Sequence, residues 1–292
     1  MRRRWMSLLA LAFLACACAT TPPAVVLHRD GEIESLIPDS EDAFGRYLAV
    51  VYWSDGLKVK GYLGLPKTPG RHPALIVNRG GVGGVGHAEP YHLWEWAENG
   101  YVAVASFYRG VGGSEGRDGY GGADVRDVLA LVPLLESLPE VDPSRIGMLG
   151  VDRGGMMTLL ALAADGERGS RRFKAAITVG AATDLGALAE ANPALLEPLH
   201  AAIGGGPREA PAAWAARSAV RWPGRLAGVP LLVLHGEADE RVPVAQARAL
   251  AEAMRRAGGD VTLEVVPGDD HGLSRSDWGV PVMVRFFGAR LK

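Results

Sequence analysis

Arg145-Ile146-Gly147-Met148-Leu149-Gly150-Val151-Asp152-Arg153-Gly154-Gly155-Met156-Met157-Thr158-Leu159-Leu160 is the stretch whose reading decides the fold. It opens as a short apolar run of strand length and closes as an apolar run of helical length. Between the two stands Gly150-Val151-Asp152-Arg153-Gly154-Gly155, a G-x-D-x-G-G pattern. Glycines on either side allow a turn so sharp that the central side chain projects alone beyond the strand end. Here that side chain is a carboxylate, and a carboxylate and a hydroxyl attack different substrates.

Outward from this turn the pattern stays regular. Residues 47–53 and 58–65 read as strands joined at Ser54-Asp55-Gly56, a hairpin signal. Residues 73–78, 101–107, 175–179, 231–234 and 261–266 read as further strands. Helices are expected over 89–99, where Leu93, Trp94 and Trp96 turn partly inward and Asn99-Gly100 is the stop, and over 123–138, 244–257 and 280–290. Strands alternating with helices predict an α/β fold, a mostly parallel twisted sheet with helices on both faces. The early hairpin supplies its antiparallel N-terminal edge. Residues 181–226, less regular and carrying Gly204-Gly205-Gly206-Pro207, read as a short lid-like insertion.

The chain has 292 residues, 48% hydrophobic and 22% charged, with a net charge of −2. That suits one soluble domain over 44–292 and gives no basic stripe for nucleic acid. Residues 1–19 read as a leader: Arg2, Arg3 and Arg4, then an apolar run too short to span a bilayer, then Cys16 and Cys18. Phe13-Leu14-Ala15-Cys16 resembles a bacterial lipobox, which would make Cys16 the acylated first residue of a membrane-tethered envelope lipoprotein. Plain secretion with cleavage after Ala17 or Ala19, or a retained anchor, are the other readings. Residues 20–43 read as a linker, polar and marked by Thr21-Pro22-Pro23. Both cysteines lie in the leader, so the domain is expected to hold no disulfide. No His, Cys and acid cluster has metal-ligand spacing, and no cofactor is implied.

Three candidate catalytic residues follow in the order Asp152, Asp239, His271. Asp239 lies in His235-Gly236-Glu237-Ala238-Asp239-Glu240-Arg241-Val242-Pro243, just past one strand, and His271 in Gly268-Asp269-Asp270-His271-Gly272, past the last. Nucleophile, acid, histidine is the chain order of the α/β-hydrolase fold. The H-G-x-x-D-x-x-V-P motif, the loop Tyr108-Arg109-Gly110-Val111-Gly112-Gly113 and the G-x-D-x-G-G turn resemble the catalytic domain of the prolyl oligopeptidase family and its dienelactone hydrolase relatives. The resemblance runs from about residue 47 to the carboxyl end. It implies a hydrolase whose oxyanion donors are the backbone N–H of Arg153 and one from Arg79 or Gly80. Three departures stand out. The family has Ser where Asp152 stands, and often His-Gly-Gly where this chain has Asn78-Arg79-Gly80-Gly81. It also often carries a β-propeller for which this chain shows no room, so peptide specificity is not expected to transfer.

The turn alone is similar to a different branch. Haloalkane dehalogenases, epoxide hydrolases and fluoroacetate dehalogenases hold an aspartate nucleophile in the same way, although the second arginine of the last group is Met156 here. A free aspartate titrates near ~3.9 and needs no base to become an anion at neutral pH. It can displace a leaving group at saturated carbon and form an ester, which water activated by His271 then cleaves. Attack on an amide carbonyl would give a mixed anhydride that tends to collapse backward. The expectation is a hydrolase acting on a small ester, epoxide or halide-type substrate through an Asp152–His271–Asp239 triad. The alternative is a catalytically silent hydrolase-fold lipoprotein that binds a ligand or a protein. Asp152 as a base for water stays open, and so does Arg79 as a substrate contact or as an exposed bystander. Ser114, in a literal Gly112-Gly113-Ser114-Glu115-Gly116, lacks a following apolar helix and is set aside. Asp269 and Asp270 read as solvated loop acids, and His235 as structural within its motif.

Overall fold

In a computed structural model the chain is described over residues 27–81, 91–275 and 279–292, with the side chains of residues 91 and 92 left out. Residues 1–19, read as a leader, and with them Cys16, lie outside the described residues. Among the described residues no helix is long and apolar enough to cross a membrane.

Among the described residues nine strands form one sheet: β1 (Ile33–Glu41), β2 (Gly45–Ser54), β3 (Leu57–Pro66), β4 (His72–Asn78), β5 (Val102–Ser106), β6 (Val141–Val151), β7 (Phe173–Val179), β8 (Leu231–Gly236) and β9 (Val261–Val266). Their spatial order is β1-β2-β3-β5-β4-β6-β7-β8-β9. From β1 to β5 neighbours run antiparallel, and from β5 through β4 to β9 all pairs are parallel. The β2–β3 hairpin turns on Asp55 and Gly56, both at positive φ (54° and 75°). That is the turn chemistry read from the sequence.

The segment expected to be a linker is a strand from Ile33 onward, and β1, not the hairpin, forms the sheet edge. Its residues are almost all exposed, so no apolar alternation marks it. It exists because β2 offers an open edge to hydrogen-bond to.

Both faces of the parallel half are covered. Along β4 the side chains alternate: Ala74 and Ile76 join one buried cluster, Leu75 and Val77 the other. The first cluster packs under α2 (Val125–Glu136), α3 (Arg153–Glu167) and α7 (Ala245–Arg256). The second packs under α1 (Tyr91–Glu98) and α8 (Gly279–Leu291), where Trp96, Tyr101 and Phe287 meet edge to face or tilted. Of the three residues expected to turn inward on α1, Leu93 and Trp96 are buried, while Trp94 is 47% exposed.

The segment 181–226, read as a lid-like insertion, holds α4 (Leu185–Ala191), α5 (Leu196–Ile203) and α6 (Pro211–Ala216). Arg217, just after α6, ties it to the β5–α2 loop by donating to the carbonyls of Tyr120 at 2.7 Å and Gly119 at 2.9 Å. The chain leaves β4 toward β5 on one side and returns through α2 to β6 on the other. The carboxyl ends of β4 and β6 therefore flank a topological switch point, where open α/β sheets place ligands.

Candidate active site

Asp152 stands at that switch point, between the end of β6 and the start of α3, with φ 57° and ψ −122°. Such a backbone is rare for any residue with a Cβ and is held here by its surroundings. The Asp152 N–H donates to Val179 O at 2.9 Å, and the Gly155 N–H to Asp152 O at 3.0 Å. α3 lies so close to the end of β4 that a Cβ on Gly154 would come within 1.9 Å of Asn78 O. The glycines of the motif are thus a demand of helix–sheet contact as well as of the turn.

The last two strands supply the other members. Asp239 follows β8 in a tight turn, where its Oδ1 accepts from the N–H groups of Arg241 (2.9 Å) and Val242 (2.8 Å). His271 follows β9, and its Nδ1–H donates to Asp239 Oδ2 at 2.7 Å. His235 Nε2–H donates to Val242 O at 2.8 Å and lies 3.1 Å from the same Asp239 oxygen, which makes it the support of the acid. Burial pushes the Asp239 carboxyl up, but hydrogen bonds from His235, His271 and Val242 outweigh it and hold it well below the usual carboxylate range.

His271 Nε2 has no hydrogen-bond partner and lies 3.7 Å from Asp152 Oδ1. The side chains of Asp152 and His271 are 19% and 13% exposed, and that of Asp239 is fully buried. The three candidates thus meet at one end of the sheet, in the order base–acid on one side and carboxylate on the other.

The two oxygens of Asp152 are not equivalent. Oδ2 accepts the Gly81 N–H at 3.0 Å, whereas Oδ1 faces the imidazole. Gly81 lies one residue beyond the Arg79–Gly80 donors expected from the sequence. Gly80 supplies room instead, since a Cβ there would stand 3.0 Å from Asp152 Oδ2. Arg79 is neither an exposed bystander nor free for substrate: it is buried, and its guanidinium donates to Phe107 O (2.6 and 3.0 Å) and to Gly80 O (3.0 Å). The Arg153 N–H, at the first position of α3, has no partner within the helix by position, as an oxyanion donor requires. The Arg153 side chain turns away from the elbow into a buried ion-pair cluster with Asp118 and Asp124, so it is not free to grip a substrate carboxylate.

Three other residues are placed plainly. Ser114 accepts from the Lys60 N–H at 3.0 Å and serves a loop contact against β3. Asp269 is buried, not solvated, and its Oδ1 accepts from the N–H groups of Asp270 (2.9 Å) and Arg275 (3.0 Å), shaping the loop that carries His271. Tyr120, which sequence reading passed over, is buried nearby. Its phenol is held above its ordinary range, by burial first and by the Asp152 carboxylate second. Among the described residues no group of three or more His, Cys, Asp or Glu side chains could hold a metal ion.

Comparison with known proteins agrees with this fold. A model of the prolyl oligopeptidase family matches residues 90–286, a span that includes all three candidate side chains. The uncharacterized peptidase YtmA of Bacillus subtilis is 31% identical over 212 residues, covering 72% of this chain and 80% of that one. The uncharacterized peptidase YuxL of the same organism is 28% identical over 245 residues, but the chain spans only 35% of its length. A puromycin-hydrolyzing peptidase of Mycobacterium tuberculosis shares the fold, with a TM-score of 0.69 at 23% identity over 86% of this chain and 40% of that one. Fold, motif order and matched span together establish that the chain belongs to the prolyl oligopeptidase family, as an α/β-hydrolase with an aspartate at the elbow position.

Proposed function

We propose that the chain is a hydrolase that works through Asp152, His271 and Asp239, with Asp152 as the nucleophile toward a small substrate bearing an anionic leaving group on saturated carbon. The unequal environment of the two Asp152 oxygens carries this reading. Oδ1 attacks, a C–O bond forms, and the leaving group departs with the electron pair of its bond to carbon. Oδ2 then becomes the carbonyl oxygen of the new ester, already against the Gly81 N–H that polarises it. Water beside His271 Nε2 loses a proton to the imidazole, whose positive charge Asp239 stabilises, and attacks the ester carbonyl carbon. The proton passes to the departing alkoxide. The products are an alcohol, the leaving anion, one released proton and the regenerated carboxylate.

A second reading draws on the relatives whose printed names call them peptidases: hydrolysis of a peptide or another acyl compound by water, with no covalent step. The same Gly81 contact weighs against it, because that donor is occupied by the carboxylate before any substrate carbonyl arrives. The leader read over residues 1–19 supports export of the chain, with Cys16 as the proposed lipid attachment site.

Intact-protein mass spectrometry of His271→Gln, incubated with alkyl halides, epoxides, activated esters and short peptides, tests the choice. The expected result is a stable mass increase localised to Asp152, equal to the alkyl group less one hydrogen with an alkyl halide and to the whole molecule with an epoxide. Single turnover of the wild-type protein in heavy-oxygen water should leave label in the Asp152 carboxylate. Turnover without label would favour the direct-water reading, and no adduct and no turnover across the panel would favour a ligand-binding role.

A further inference from the structure

The Arg153 side chain leaves the elbow for a buried cage. It is fully shielded from solvent, although its neighbour Asp152 opens into the site. Nη1 donates to Asp118 Oδ2 at 2.7 Å and Nη2 to Asp124 Oδ2 at 2.7 Å, and a further very short bond joins Nη2 to Asp118 Oδ1. The rings of Tyr108 and Tyr120 lie 5.1 and 4.6 Å from the guanidinium carbon, within cation–π range. Nη1 also reaches the Gly81 carbonyl oxygen at 3.4 Å. Gly81 is the residue whose N–H holds Asp152 Oδ2. A circuit therefore closes from Asp152 through Gly81 to the Arg153 guanidinium, and back along the backbone to Asp152.

A wish for stability explains this poorly. Burying an ion pair gains little over an apolar replacement, and this cage leaves Arg153 Nε without any partner. A planar guanidinium has five donors in a fixed fork, so it can grip two carboxylates and a carbonyl at once. That capacity matches what the position needs, because a carboxylate on a bare turn would rotate and present either oxygen.

We propose that Arg153, clamped by Asp118 and Asp124, is a positioning residue that seats the Gly81 N–H on Asp152 Oδ2 and thereby decides which carboxylate oxygen faces substrate. Its kinetic consequence rests on the reading of Asp152 as a nucleophile. The hydrogen-bond arrangement itself does not.

The test uses Arg153→Lys, which keeps the charge between the two aspartates but loses the fork. The Gly81 amide resonance of 15N-labelled protein reports its hydrogen bond, and its displacement in Asp152→Asn sets the scale. In Arg153→Lys that resonance should move at least about halfway toward the Asp152→Asn position, while the amides of β7 and β8 stay in place. Asp118→Asn should move it in the same direction by less, and it carries the test alone if Arg153→Lys does not fold.

In single-turnover kinetics the Asp152 ester should live about tenfold longer in Arg153→Lys, short of the effect of deleting an oxyanion donor, with ester formation altered less than about threefold. A Gly81 resonance unmoved in every folded variant overturns the proposal, as does equal slowing of both chemical steps. If the resonance moves but no ester ever forms in the wild-type protein, the positioning stands and the nucleophile reading falls.

Discussion

Asp239 is a single carboxylate asked to serve two histidines and a turn at the same time. Its pKa lies below the unfolded value of ~3.9 despite the opposing push of burial, because His235, His271 and Val242 donate to it. Stability from this source is complete above the unfolded value and is lost as pH falls through the folded one. Asp239→Asn should therefore melt below the wild-type protein at pH 7, with the gap in Tm narrowing as pH drops below about 4. Melting curves across that range check it, and a gap that stays constant into acid would contradict the assignment. Asp152, Asp239 and His271 were legible in the sequence because each sits in a short motif just past a strand. Gly81, Asp118 and Asp124 were not. Gly81 acts through its backbone, and the two aspartates precede a helix as capping or turn residues do in many proteins. Nothing in the chain marks a buried arginine as their partner.

At the scale of elements, β1 is the informative miss. Ile33–Glu41 is polar, contains Pro38 and shows no alternation, so it reads as a linker. The strand is specified by the waiting edge of β2 and not by its own composition. The same features restrain it from recruiting another chain. Pairing is interrupted between Ile33 and Ser35 and between Pro38 and Ser40, and Pro38 offers no N–H. Leu36 and Ile37 nevertheless stand exposed there. Pro38→Val should restore a donor and a β-branched side chain beside them, and sedimentation velocity should then show stronger concentration-dependent self-association than the wild-type protein gives. The parallel strands were easier to read, since strands buried on both faces appear as continuous apolar runs whatever lies next to them. Boundaries shifted where polar residues extend a strand, as in β6, which begins at Val141 ahead of the apolar run.

For the molecule as a whole, the alternation of strand and helix determined the architecture, and two buried clusters on opposite faces of the sheet make it rigid. That rigidity has a consequence at position 152. The framework holds an aspartate at φ 57° and ψ −122°, a conformation costing of order 1–3 kcal/mol for a residue with a Cβ. Glycine would adopt it freely and lose only about 0.5–1 kcal/mol through its greater freedom when unfolded. Asp152→Gly, which also gives up the Gly81 contact to the carboxylate, should thus raise Tm by no more than about 2–4 °C, which differential scanning calorimetry checks, while abolishing any chemistry at the carboxylate. A laboratory lineage propagated for heat resistance alone would be expected to discard this aspartate early, so its presence in the natural chain points to a benefit that thermal robustness does not measure.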